Sequence, residues 1–443
     1  MRSATYRFAA PLAALLCFLS MSWLYCRGNL ALYYDILRWW GIVPFRFPFV
    51  DIGGSLAAWE CARQGVDVIL SDPCDVLQRG YNYSPIWMAA APIPLGVNDT
   101  QAVGWGLDLL FIGSLTLLPP PRRPLEMMLA LTATLSTMVV FALERANPDI
   151  LLFMMVLAAG LLAECRASVR LIGYALALIA ALLKYYPIMA LITVFRERPP
   201  RFFAIAVALT GALAVFWVIY HAEIAEGLPT IAQGPYNTDL FAAKNLPFLL
   251  GEAARNVTGT SSWAPLVGQA FAAAIYATMI GVCWVVCRRL LGSGELGAAL
   301  ASLSGFERTL LVIGCAVIVG CFFAGQSIGY RGVFLLMVIP GLLGIARPPA
   351  SGNLRALGTA ASIVIVLLMW GECFRLALYR GFELPDVPAT IAGQLGFYFW
   401  LLRELGWWWT VAIMLSVLAE FLRASPVVRR VSPLFGRLVL RAG

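Results

Sequence analysis

Phe202-Phe-Ala-Ile-Ala-Val-Ala-Leu-Thr-Gly-Ala-Leu-Ala-Val-Phe-Trp-Val-Ile-Tyr220 runs for 19 residues without a charged side chain, with Arg201 before it and His221 after it. About 20 apolar residues in a helix cross a hydrocarbon core of about 30 Å. Inside lipid the backbone must satisfy its own polar groups, so this run reads as a transmembrane helix. Working outward, further apolar runs occupy residues 8–25, 101–118, 125–143, 149–164, 171–183, 188–195, 266–287, 308–323, 332–346, 355–374 and 396–421. The expectation is an all-α polytopic integral membrane protein of about 12 spans, within a range of 10–13. The runs at 171–183 and 188–195 are short, and a re-entrant hairpin and one long helix kinked at Pro187 are both open. The apolar stretch at 85–97 is read as peripheral.

Composition agrees. Of 443 residues, 61% are apolar and 13% charged, and mean hydropathy is +0.81; a soluble domain could not cover that much apolar surface. A single membrane domain over 1–443 is expected, with a first outer (periplasmic) loop at 26–100 carrying juxtamembrane helices and a second outer loop at 221–265. The net charge of +8 does not argue for nucleic acid, because the basic residues sit in short clusters between apolar runs. Arg2 and Arg7 precede a run with no Ala-x-Ala-like cleavage site before Arg27, so the first segment is read as a retained anchor.

Orientation follows from those clusters. With twelve alternating spans, Arg122/Arg123, Arg166/Arg170, Arg196/Arg198/Arg201, Arg288/Arg289, Arg347/Arg355 and Arg423/Arg429/Arg430/Arg437/Arg441 share the side of Arg2 and Arg7. Retention of positive charge makes that side, and both termini, cytoplasmic. Ala-, Leu- and Arg-rich usage suggests a bacterial inner membrane. The other side receives the two outer loops, a connection at 375–395, and the turns Glu144-Arg-Ala-Asn-Pro-Asp149, Lys184-Tyr-Tyr-Pro187 and Gly325-Gln-Ser-Ile-Gly-Tyr-Arg331. Polar constellations thus converge on one face, which the charge count did not require.

Chemistry is sparse elsewhere. The ten cysteines form no Cys-x-x-Cys pair, and Cys283, Cys287, Cys315 and Cys321 lie in apolar runs as fillers. Cys61 and Cys74 share the first outer loop, where a disulfide is open if that side is oxidising. His221 is the single histidine, which argues against a histidine metal site or triad. No phosphate-binding glycine-rich loop is present, so nucleotide hydrolysis is disfavoured.

Asp51 opens a helical, Ala/Trp-rich stretch in the first outer loop, which would lie along the membrane interface with Trp59 among head groups. Its carboxylate is read either as a base at the bundle mouth or as a helix N-cap. The loop resembles that of C-type (GT-C) membrane glycosyltransferases, particularly the polyprenol-phosphate-mannose-dependent mannosyltransferase-like family 87. The matching positions are Asp51, the run Ala57 to Ala62, Gly65, and Tyr81-Asn-Tyr-Ser-Pro85. Leu183-Lys-Tyr-Tyr-Pro187 is similar to that family's Lys-x-x-Pro turn. Glu144-Arg-Ala-Asn147 keeps only the Asn of its Gly-Gln-x-Asn. The resemblance covers the first half of the chain.

The resemblance implies a GT-C-like bundle that transfers a mannose- or arabinose-like sugar from a polyprenyl-phosphate donor to a glycan or lipid acceptor on the non-cytoplasmic face. Asp51 is then the catalytic base. Lys184 and Arg331 are the candidates for holding the donor phosphate, and Asn147, Tyr83 and Tyr330 for the sugar or acceptor. Blander readings stand beside these: Lys184 and Arg331 snorkel, Glu144 and Arg145 are solvated, and Tyr81, Tyr83 and Trp87 anchor at the interface. No cofactor is required, the expected partners are the lipid-linked sugar, its acceptor and membrane lipids, and no residue set signals a metal. A transporter or flippase is the rival reading, resting on Asp108 and Glu404 inside or near spans.

Overall fold

The computed structural model of the chain describes residues 2–230, 234, 240–259, 262–347, 350–382 and 389–430. Parts of the 221–265 and 375–395 connections, and Arg437 and Arg441, lie outside the described residues. The helices are α1 (Arg2–Cys26), α2 (Leu30–Trp39), α3 (Val50–Arg63), α4 (Thr100–Ser114), α5 (Pro124–Thr134), α6 (Thr137–Arg145), α7 (Pro148–Ala163) and α8 (Ala167–Leu183). They continue with α9 (Pro199–Gly227), α10 (Asn245–Val257), α11 (Ala264–Gly292), α12 (Glu295–Ser302), α13 (Gly305–Ala324), α14 (Leu335–Ile345), α15 (Gly352–Met369), α16 (Gly371–Phe382) and α17 (Ala389–Ala424).

The protein is all-α: no strand occurs among the described residues, and one isolated bridge pairs Phe241 with Ser327. Six helices, α1, α9, α11, α13, α15 and α17, are long and apolar enough to cross a membrane. A seventh span results if α5 and α6, bent by 40°, are taken together. The break has a cause, because Trp40 wedges into it. Trp40 Nε1 donates to the Leu135 carbonyl at 2.7 Å, and Thr137 Oγ1 donates to the Trp40 carbonyl at 2.8 Å. The remaining apolar runs form the shorter helices α4, α7, α8 and α14 and a 3₁₀ segment, Tyr186–Arg196.

Apolar length does not tell which helix is central; burial does. The apolar window of α13 is 78% buried, against 6% for α9 and 11% for α11. A helix apolar on all sides and buried on all sides forms the core, while α9 and α11 present their apolar sides outward, as lipid-facing helices do. Around α13 pack α7, α14, α17 and the 186–196 segment.

Of the two readings open for 171–195, the hairpin is the observed one. Lys184 breaks α8 with φ −160° and ψ 84°, and the 3₁₀ segment runs back antiparallel. Its far end returns to the start of α8, where Glu197 forms an ion pair with Arg170 at 2.9 Å and accepts from the Tyr174 hydroxyl at 3.0 Å.

The 26–100 loop folds on its own small core. Leu56, Trp59, Val68, Tyr81 and Trp87 are buried together, and a Cys61–Cys74 disulfide ties α3 to the following loop. One expectation is corrected by this. Trp59 is packed inside and not among head groups, because the loop closes over α3. The 85–97 stretch is no span and stays largely at the surface, held by Trp87, whose Nε1 donates to the Leu183 carbonyl at 2.9 Å.

Candidate active site

Asn147 is the hinge of the site. In Asn147-Pro148-Asp149, Asn147 caps α7 through Oδ1, which accepts from the Asp149 amide at 2.9 Å, and Pro148 takes the first helical position where its missing N–H costs nothing. The cap leaves Nδ2 free, and it donates to Asp51 Oδ2 at 2.7 Å. Asp51 is buried in the first turn of α3 while Phe49 holds the N-cap position, so the carboxylate is not spent on capping. Its Oδ1 lies 3.3 Å from Arg79 Nη1 and 3.8 Å from Arg145 Nη1.

Asp149 is the second centre. Lys184 Nζ donates to its Oδ1, and Arg331 Nε stands 3.8 Å from its Oδ2. Arg331 Nη1 donates to Ser327 Oγ at 2.9 Å. Aromatic faces enclose these cations: Lys184 Nζ is 5.1 Å from the Tyr83 ring centre and 5.5 Å from that of Tyr330, and Arg331 is 5.2 Å from the Tyr186 ring. Arg145 lies 4.3 Å from the Phe45 ring and 4.8 Å from Phe141.

All six residues singled out from the sequence, Asp51, Asn147, Lys184, Arg331, Tyr83 and Tyr330, thus meet at one end of the bundle. Two bland readings fail here. The Lys184 side chain is 12% exposed and ion-paired, so it does not snorkel. Glu144 is buried and Arg145 half-buried rather than solvated, with Arg145 Nε donating to Glu144 Oε2 at 3.1 Å. Tyr81 and Trp87 pack in the loop core, and only Tyr83 of that group reaches the cations. Burial, with the Asp51 carboxylate beside it, pushes the Tyr83 phenol well above its ordinary pKa, so it stays a neutral donor.

Sequence reading missed Arg79, Arg145 and Asp149 as site members. Burial works against the Arg79 charge, but the Asp75 carboxylate bonded at 2.8 Å, with Asp51 beyond, carries its pKa above the ordinary arginine value. Arg79 approaches Asp51 across Gly54, where a Cβ would lie 2.7 Å from Arg79 Nη2. The backbone carries a matching signal. Phe49, Gln78 and Ala146 are the non-glycine residues in the left-handed region among the described residues, at φ 64°, 51° and 42°. Each stands one or two positions before Asp51, Arg79 or Asn147. Such conformations cost about 1–3 kcal/mol each and concentrate where function demands them.

No protein-family model, curated protein or solved structure matches the chain.

Among the described residues the one close grouping of metal-ligating side chains is Cys61, Asp72 and Cys74, whose two sulfurs are joined to each other and offer no thiolate. The arrangement at Asp51 and Asp149 is instead one of carboxylates facing cations with spare capacity. A carboxylate has about four acceptor positions, and Asp51 uses two in hydrogen bonds. Lys184 and Arg331 likewise retain donors beyond those given to Asp149 and Ser327.

Asp108 and Glu404 lie apart from this chemistry. Glu404 accepts from its neighbour Arg403 at 2.9 Å, whereas both Asp108 carboxylate oxygens are buried in α4 without a hydrogen bond among the described residues.

Proposed function

We propose that this chain is a C-type membrane glycosyltransferase that moves a mannose- or arabinose-like sugar from a polyprenyl-phosphate donor to an acceptor on the non-cytoplasmic face. The observation that carries the reading is the meeting of Asp51, Asn147, Lys184 and Arg331 at one end of an apolar bundle, from four separate segments of sequence. Asp51 takes the proton of the acceptor hydroxyl as that oxygen attacks the anomeric carbon. Lys184 and Arg331 neutralise the phosphate as the glycosidic bond breaks and charge develops on it. Asn147 and Arg79 hold the carboxylate in place, and Tyr83 and Tyr330 flank the sugar.

The finer topology belongs to the same proposal: about 12 spans counting the shorter helices, both termini cytoplasmic, in a bacterial inner membrane. The Cys61–Cys74 disulfide supports an oxidising side for the 26–100 loop. The basic clusters gather at the opposite ends of the same helices, as Arg122 to Glu307 and Arg196 to Glu164 illustrate.

The test is analysis of lipid-linked sugars and glycans in membranes of cells expressing wild type, Asp51→Asn or no protein, at matched protein level. A product that depends on wild type and vanishes in Asp51→Asn supports the reading. A proton-coupled transporter is the rival that the unpartnered Asp108 favours. It predicts no sugar product, and loss of transport in Asp108→Asn with Asp51→Asn unaffected.

A further inference from the structure

A groove with about 670 Å³ of empty space, open solvent included, lies between α1, α2, α4 and the α5–α6 bend. Its walls are apolar, with Phe18, Leu37 and Leu143 among them, and it reaches the surface at Gln101 and Trp105, both exposed. Trp105 at the mouth is exposed, and so is Leu109 one turn further along the same face of α4, so the mouth opens toward hydrocarbon.

One charged side chain stands in the described wall. It is Glu144, 2% exposed, whose carboxylate has Arg145 bonded at Oε2 and the Phe45 backbone amide as a further donor, while Oε1 makes no hydrogen bond of full geometry among the described residues. Arg145 reaches from Glu144 toward Asp51, Phe45 and Phe141, and among the described residues no cation lines the cavity. An anionic head group here would meet a carboxylate whose one cation, Arg145, is already shared with Asp51. An alcohol would supply the donor that Oε1 lacks.

We infer that this cavity binds a single-chain lipid with an uncharged hydroxyl head, its chain lying between α1 and α4 and its hydroxyl donating to Glu144. Arg145 spans from Glu144 at 3.1 Å to Asp51 at 3.8 Å, so the bound head lies one guanidinium from the proposed base. The role of this lipid as sugar acceptor rests on the function proposed above. Its binding does not.

The experiment uses the full chain in phosphatidylcholine vesicles, a diazirine-bearing long-chain primary alcohol, and the same chain as its phosphate monoester. Expected is saturable labelling of α1 and α4 by the alcohol, displaced by unlabelled alcohol and not by the phosphate ester. Cys17→Trp, which fills the cavity from a half-buried position, weakens labelling at least about tenfold, and Glu144→Leu weakens it about tenfold by removing one hydrogen bond. Equal or stronger labelling by the phosphate ester, non-saturable labelling of wild type, or labelling unchanged in Cys17→Trp overturns the inference. Sugar transfer to acceptors without any specific alcohol labelling overturns it too, whereas intact labelling with no transfer sinks the proposed enzyme and leaves the site standing.

Discussion

At one end of the bundle Arg347 donates to Glu126 at 2.9 and 3.0 Å and to Glu307 at 2.7 Å, and Arg122 adds a bond to Glu307 at 3.2 Å. Ser304 completes the network, its hydroxyl donating to Glu307 at 2.9 Å within a capping box at the start of α13. At the other end Asp149 Oδ2, Arg331 Nε and Glu144 Oε1 are buried without hydrogen bonds among the described residues, and aromatic rings cover the cations. Three left-handed non-glycine residues stand at this second end and none at the first. Both ends bury charge. The Arg347–Glu126–Glu307 network satisfies its members and clamps helices; the second end keeps donors and acceptors in reserve in a strained frame, which is what a binding site needs and a clamp does not.

The largest effect that sharpens this contrast is expected at the clamp. Arg347→Met leaves Glu126 and Glu307 buried with fewer partners, and breaking such a network costs about 3–5 kcal/mol. Detergent-solubilised protein should melt at a clearly lower temperature while sugar transfer per folded molecule stays normal. A loss of transfer without a loss of stability would erase the distinction between the ends.

Lys184→Met should do the reverse. Arg331 remains near Asp149, so the fold holds, while transfer from a polyprenyl-phosphate sugar falls about 10²–10³-fold, the usual range for removing one donor to a developing anion. A wild-type rate at saturating donor would remove Lys184 from the phosphate site.

Gly54→Ala tests the approach of Arg79. The added methyl meets Nη2 at 2.7 Å and pushes the guanidinium off Asp51, and transfer should fall about tenfold, the ~1.4 kcal/mol of one displaced charged contact. Unchanged kinetics would make Arg79 a bystander.

The smallest effect is at Ala146. Glycine relieves a left-handed residue at the end of α6, and Ala146→Gly should stabilise the protein by about 1 kcal/mol in thermal melts. Destabilisation would show that the conformation carries no strain to release.

Much of the fold was legible because lipid demands uniform apolar runs, and every such run became a helix or, at 186–196, a 3₁₀ segment. Their ranks were not legible: the 308–323 and 202–220 runs read alike, yet the first lies at the core and the second faces outward, since hydropathy does not encode which neighbours a helix finds. Lys184 and Arg331 stood out as charges at the boundary of apolar runs, whereas Asp51 and Asn147 stood out through the family resemblance of the segments that carry them. Arg79 gave no such signal, being placed by a folded loop and its disulfide 28 residues from Asp51. Arg145 was obscured by its neighbour Glu144, since adjacent opposite charges on a short turn ordinarily sit in water. Trp59 and Trp87 misled for a related reason: interfacial tryptophans and tryptophans of a small loop core have the same sequence surroundings.

The most direct test sets Asp51→Asn against Arg347→Met in one assay of sugar transfer per folded molecule, with melting temperature read on the same samples. The account predicts that Asp51→Asn melts near wild type and loses about 10²–10⁴-fold in rate, the contribution of a general base, while Arg347→Met melts lower and transfers normally. Transfer by Asp51→Asn at the wild-type rate, or no wild-type transfer from any polyprenyl-phosphate sugar, would contradict it.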